Sequence, residues 1–251
     1  VITLTGVIND LHLPFSDARS INLALDVFED LKVSRIFLNG DIVDFYNLSA
    51  HGPKHPDVQF ILQDEIDSCV DFLTSLRKRF PTQEIIYNAG NHEARLDRFI
   101  INNAPPFWNM YQLEKMFRLE ELGIIYYPYN SRVQLEKTNL YIQHSPPSYT
   151  SAKSAYAHKH DQSSIYGCSH RVEHYTRTGA SGSIYETFFN GCLVNVNQDE
   201  TTKKVFGYAK GHENWQQCMM IVAVENETEH HIEQSLIKNW KVKIGGSLYC
   251  G

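Results

Sequence analysis

Cysteine is scarce in this chain and follows no pattern: there are five, at positions 69, 168, 192, 218 and 250. An odd number without framework spacing excludes a disulfide scaffold and reads as reduced thiols in a cytoplasmic protein. Basic charge is short as well, 23 Lys and Arg against 29 Asp and Glu, a formal net charge of −6. That balance excludes tight non-specific DNA binding, which needs many cation–phosphate contacts, but leaves room for a local basic groove. No apolar run approaches the ~20 residues that cross a bilayer, so no membrane partner is expected. The opening VITLTGVIND has neither a basic n-region nor a small-residue cleavage site and does not read as a secretory leader. Repeats, low-complexity tracts and an obvious linker are also missing, so residues 1–251 are expected to form a single domain. What the chain does have is histidine, 12 in all, and their placement is informative.

Residues 1–8 are β-branched and aliphatic and end at a polar Asn9-Asp10, the pattern of a buried strand running into a loop. Ile21, Leu25, Phe28 and Leu31 then recur at helical spacing behind a capping Asp17, predicting a helix over 17–32. RIFLNGD (35–41) is a second buried strand. A helix is expected over 57–80, with Leu62, Ile66, Cys69, Leu73 and Leu76 on one face and Pro81 ending it. EIIYNAG (84–90) is a third strand. Strand and helix alternating in this way predict a parallel sheet with helical crossovers. Residues 94–122 read as helical with a break at Pro105-Pro106. From 123 onward the pattern turns to strands: IIYYP, RVQLE, NLYIQH, SSIYG, ETFFNG and QQCMMIVAV, then a tail. One domain with two sheets fits this order.

The polar residues of interest stand where strands end. They are Asp10 and His12, Gly40-Asp41 with Asp44, Gly90-Asn91-His92-Glu93, His144, and Gly167-Cys168-Ser169-His170. Open α/β sheets bind ligands beyond the carboxyl ends of their strands, so these groups can converge. Carboxylate, amide and imidazole donors together suit Mn²⁺, Fe²⁺ or Zn²⁺.

In this order, D-x-H, G-D-x-x-D, G-N-H-E, a lone strand-end histidine and G-x-x-H resemble the calcineurin-like metallophosphoesterase superfamily. The strings GNHEARLDRF and NWQQ (214–217) are similar to those of phosphoesterases from phages and their bacterial relatives. The resemblance implies an α/β fold, a four-layer αββα sandwich of two mixed sheets flanked by helices, holding two divalent ions. Carried over residue by residue, one ion takes Asp10, His12, Asp41 and His170. The other shares Asp41 and adds Asn91, His144 and the residue at 168. His92 then stands beside the scissile phosphate, and Asp44 and Glu93 orient it or a ligand histidine. The implied chemistry is hydrolysis of a phosphoester by a hydroxide shared between the ions, with His92 serving the leaving group.

The chain departs from the family where G-H-x-H is usual and G-C-S-H stands instead. Cys168 thereby occupies a ligand position; it reads either as a thiolate shifting preference toward Zn²⁺ or Fe²⁺ or as a weakened second site. Ser145 follows His144 where glycine is more usual and is expected to crowd that turn. His158 or His160 is an alternative source of the lost imidazole, though a solvated position is the simpler reading. His51 and Asp57 read as turn residues, and His212, His230 and His231 as surface residues. Arg95 and Arg98, one turn apart after GNHE, are candidates for a substrate phosphate or for pairing with Glu93 and Asp97. Arg171 is a further substrate candidate, and it and His174 are otherwise expected in a solvated loop. The aromatic run 105–111 reads as core or an oligomer interface, with base stacking as the other possibility. Tyr126, Tyr127 and Tyr129 read as packing. The expected activity is metal-dependent phosphodiester cleavage, with nucleic acid a candidate partner. A small-molecule phosphomonoesterase, a non-catalytic scaffold and a protein-serine/threonine phosphatase stay open as alternatives.

Overall fold

Aliphatic strands too apolar for solvent and helices with one apolar stripe dictate the layers. A computed structural model describes residues 1–50, 61–146, 161–196, 200–206 and 214–251. His51, Asp57, His158, His160, His212 and the start of the helix expected over 57–80 lie outside the described residues. The first sheet contains β1 (Ile2–Ile8), β2 (Arg35–Asn39), β3 (Glu84–Asn88) and β4 (Ile124–Tyr127), all parallel, with β10 (Cys218–Glu225) and β11 (Glu229–Leu236) added antiparallel beside β1. The second sheet runs β5 (Val133–Gln134), β6 (Leu140–Gln143), β7 (Ser163–Tyr166), β9 (Ile184–Asn190), β8 (Val172–Thr178). Its central strands β6, β7 and β9 are parallel and its edges antiparallel.

Because side chains alternate along a strand, each buried strand of the first sheet contributes to two cores. Val7, Phe37, Ile86, Met220, Val222 and Val224 meet Leu140, Ile142, Ile165 and Phe188 of the second sheet. Ile8, Ile36, Leu38, Ile85 and Tyr87 point the other way, into α1 (Ala18–Asp30), α2 (Leu62–Arg79) and α3 (Glu93–Asn103). Two mixed sheets face to face, with helices outside, are the fold class expected. Asp17 caps α1 by accepting from the backbone N–H groups of Arg19 and Ser20, as its position before the periodic run predicts.

Four local expectations need correction. The 94–122 stretch is not one interrupted helix: α3 ends at Asn103, a 3-10 turn covers Pro105–Met110, and α4 (Leu113–Met116) is a single turn. Phe107, Met110 and Tyr111 are exposed rather than core, since no element among the described residues covers them. Residues 172–178 are a strand, not a solvated loop. That strand is an edge, paired on one side only, so its outward positions stay polar and hide the apolar alternation a strand usually shows. The tail adds β11 and the hairpin β12 (Lys241–Ile244) with β13 (Ser247–Cys250). All five cysteines are free thiols. Among the described residues no helix is long and apolar enough to cross a membrane.

Candidate metal centre

The parallel strands β1, β2, β3, β6 and β7 all deliver polar residues at their C-terminal ends. Backbone bonds hold the first two loops together: the N–H groups of Asp10, His12 and Leu13 donate to the carbonyls of Gly40, Asp41 and Ile42 at 2.9, 2.9 and 2.8 Å. Asp10, His12, Asp41, Cys168 and His170 all have positive φ, between 50° and 65°. Residues with a Cβ adopt this left-handed backbone at a cost and tend to cluster at functional sites when they do. Glycine is required where the loops nearly touch. A Cβ on Gly90 would lie 2.2 Å from Asp41 Oδ1, and one on Gly167 would lie 2.6 Å from Asp10 Oδ2.

Four donors close on one point: Asp10, His12, Asp41 and His170, all buried, with ligand atoms within 4.8 Å of one another. His170 Nε2 is 3.0 Å from Asp10 Oδ1 and 3.0 Å from His12 Nε2, and His12 Nε2 is 3.8 Å from Asp41 Oδ2. Donors sharing one ion at about 2.0–2.2 Å are separated by about this much. His12 Nδ1 donates to Asp44 Oδ2 at 2.8 Å, which turns the Nε2 lone pair toward the cluster. His144 is fixed the same way, Nδ1 donating to the Asn39 carbonyl at 2.7 Å. Its Nε2 is 3.2 Å from Asp41 Oδ2 and 3.2 Å from Asn91 Oδ1, and Cys168 Sγ is 3.1 Å from Asn91 Oδ1. The two sets expected from the sequence are therefore brought together, with Asp41 between them.

The electrostatics call for positive charge. Burial opposes ionisation of Asp10, yet His144 and His170 beside it hold its carboxyl well below the usual range. Asp41 is likewise lowered against burial by His144 and His92, and Asp44 by His92 and His12. Burial would depress His12, but hydrogen bonds to Asp10 and Asp44 push it up to about 10. His144 is raised well above normal, against burial, by Asp41 and Asp10. His170 is lowered, because burial outweighs its Asp10 partner. Two buried carboxylates, Asp10 and Asp41, together with the imidazoles beside them form a donor set that fits divalent cations of the Mn²⁺, Fe²⁺ and Zn²⁺ class.

Around these donors the remaining candidates take distinct places. His92 Nδ1 donates to the Asp44 carbonyl at 2.8 Å, and its backbone N–H donates to Asp41 Oδ1 at 2.8 Å. Its Nε2 is 3.7 Å from Asp41 Oδ2. Asp44 supports both His12 and His92, with Oδ2 3.3 Å from His92 Nδ1. Among the described residues the Glu93 carboxylate has no histidine partner. It accepts from the backbone N–H groups of Asp41, Ile42, Val43 and Gly90 and from the Tyr87 hydroxyl, clamping the loop that carries Asp41. Arg95 is buried on α3, donating to the Asp44 carbonyl at 2.9 Å and lying 2.8 Å from His92 Nε2; it pairs with Asp44 at 3.4 Å instead of Glu93. The Ser145 hydroxyl donates to Asn91 Oδ1 at 3.4 Å. Arg171, next to His170 in the chain, pairs with Glu173 at 3.8 Å. His174 stacks on Phe188 and meets Glu186.

Several contributors carry no signal in the sequence. Asn9 donates to Asp10 Oδ2 at 2.5 Å and to the Gly191 carbonyl. The Trp215 ring edge packs on His170 with centroids 4.1 Å apart, and the Gln216 N–H donates to the His170 carbonyl. Phe206 of α5 (Glu200–Phe206) stands edge-on to His12. NWQQ is visible as a string, but its position against His170 is not.

Two facing mixed sheets with carboxylates and histidines at their strand ends constitute the metallophosphatase fold. The sequence profile of the calcineurin-like phosphoesterases matches residues 4–178, and the chain belongs to that family, whose members depend on two metal ions. No protein of curated function matches the sequence. Among solved structures, Vacuolar Protein Sorting 29 from Cryptosporidium parvum is similar at 11% identity over 98% of this chain and 94% of that one, TM-score 0.48. YfcE, a phosphoesterase from E. coli, is 14% identical over 94% and 100%, TM-score 0.40. A dimetal phosphatase from Danio rerio is 9% identical over 92% and 98%, TM-score 0.37.

Proposed function

We propose that the chain, acting as one domain, is a two-metal hydrolase of phosphodiesters. The observation that carries this is the convergence of Asp10, His12, Asp41, Asn91, His144, Cys168 and His170 beside a buried His92 that has its own support. Asp10, His12, Asp41 and His170 hold one ion. Asp41, Asn91, His144 and Cys168 hold the other. Bound cations supply Lewis acidity and a nucleophile from water at neutral pH. His92 would stand beside the scissile phosphate and would protonate or stabilise the leaving alkoxide. Asp44 orients His92 and His12, and Arg95 orients His92 and Asp44 rather than meeting substrate. Cys168 in place of an imidazole favours Zn²⁺ or Fe²⁺ over Mn²⁺ at the second position.

The test is turnover of bis(p-nitrophenyl) phosphate against p-nitrophenyl phosphate by protein reconstituted with each metal. The diester is expected to be cleaved and the monoester less well. His92→Ala is expected to lower kcat about 10²–10⁴-fold with metal content unchanged. Full activity in that variant would remove His92 from the chemistry. Monoester cleavage alone would make the protein a phosphomonoesterase, and no cleavage of either would make it a scaffold.

A further inference from the structure

One cleft shares its wall with the proposed centre. It measures ≈ 480 Å³, and its lining includes Asn91, Arg95, Arg98, Phe99, Asn102 and Tyr129. That volume falls in the range of about 300–1,000 Å³ that holds one small ligand and is too small for a duplex. Its chemistry is unlike that of the chain as a whole. In a protein of net charge −6, the described residues lining this cleft include no carboxylate. Arg95 is buried and engaged with Asp44 and His92, whereas Arg98, one turn further along α3, is exposed. Arg98 lines the cleft and donates from Nη2 to the Asn91 carbonyl at 3.2 Å, which anchors its guanidinium beside a proposed metal ligand. Phe99 is 46% exposed and Tyr129 half-buried, so two aromatic side chains line the same space. Asn102 adds an exposed amide.

We infer that this cleft seats one nucleotide unit of a single-stranded nucleic acid next to the scissile phosphate. Arg98 takes the neighbouring phosphate and Phe99 and Tyr129 flank the base. The inference rests on the phosphodiesterase reading and names its substrate class. Guanidinium donors match phosphate oxygens in a fork that ammonium groups lack. Aromatic faces accept any base by stacking, which suits a strand read without sequence preference. The amide of Asn102 offers a donor and an acceptor to a base edge.

The experiment compares tetrathymidylate with bis(p-nitrophenyl) phosphate as substrates of metal-loaded wild type, Arg98→Gln and Phe99→Ala, with thermal melts confirming that each variant folds. Arg98→Gln is expected to lower kcat/KM for the tetranucleotide about tenfold through KM, the scale of a lost charge-assisted hydrogen bond. The fall for the small diester should be several-fold smaller. The slope of log(kcat/KM) against log[salt] for the tetranucleotide should become shallower by about 0.7, one phosphate contact on a single strand. Phe99→Ala should raise KM for the tetranucleotide about fivefold or more. Equal falls on both substrates, or no change in the salt slope, would overturn the subsite and leave the phosphodiesterase reading in place. If wild type cleaves neither substrate, that reading fails, and binding of fluorescent tetrathymidylate decides the cleft alone. Binding weakened by Arg98→Gln would keep it, and equal or absent binding would reject it.

Discussion

The two halves of the centre are built differently. Asp10, His12, Asp41 and His170 are buried, carry only carboxylate and imidazole, and are each held by backbone or side-chain partners. On the other side of Asp41, His144 is buried but Asn91 and Cys168 are half-buried, and Asn91 lines the Arg98 cleft. The buried half is closed and pre-oriented, so its geometry follows from folding. The less buried half carries the departure from the family pattern, Cys168. Under the proposed function the first side would fix charge, and the other would adjust metal preference and meet the ester.

The sharpest way to break that contrast is to remove what both halves share. Asp41→Asn should abolish the second equivalent of metal, weaken the first and cut turnover roughly 10³-fold, the several kcal/mol that a cation pair contributes to the transition state. Atomic absorption together with diester turnover checks it. Unchanged metal content would mean that the halves do not share Asp41.

Cys168→Ala should act on one half only. Affinity for the second equivalent should fall at least about 10–100-fold, the effect of losing even an outer partner of a ligand, while the first equivalent stays. Cys168→His should restore the second equivalent and move preference toward Mn²⁺. Competition titration with Zn²⁺ and Mn²⁺ reads both. Loss of the first equivalent in Cys168→Ala would contradict the division.

Beneath the centre, Glu65 on α2 accepts from the Tyr46 backbone N–H at 2.7 Å, and its Oε2 is buried without a partner among the described residues. Burial first, and Asp44 next, push its carboxyl up to about 8. The folded value lies above the unfolded one, so this group's contribution is fully present below about pH 4.5. Stability then falls through about pH 8, on the order of a few kcal/mol, as the unfolded chain ionises first. Glu65→Gln keeps an acceptor for Tyr46 and should flatten that slope. Urea unfolding at pH 5, 6.5 and 8 measures it, and an unchanged slope would put the charge elsewhere.

The smallest effect belongs to the contact between loops. Gly90→Ala would place a methyl against Asp41 and should cost about 1–3 kcal/mol, read as a lower Tm, with weaker retention of metal. A wild-type Tm would mean that the loops have slack.

Much of this centre was legible in the sequence because its residues sit in short strings at the ends of apolar strands. Asp10, Asp41, Asn91, His92 and His170 are each placed by a few neighbours. What escaped depends on long-range pairing. Asn9 is an ordinary polar residue until Asp10 and Gly191 are brought beside it. Glu93 looks like a partner for histidine, yet the loop at Asp41 bends back to offer it backbone N–H groups. Arg95 points toward a substrate only until Asp44 is seen to meet it. The edge strand β8 hides because one of its sides has no neighbour to bury against.

The central claim is that both halves bind metal, and metal content per chain tests it most directly. Protein purified without chelator or an affinity metal and measured by plasma mass spectrometry should contain close to two equivalents. One equivalent or fewer, not raised by added Mn²⁺, Fe²⁺ or Zn²⁺, would contradict it.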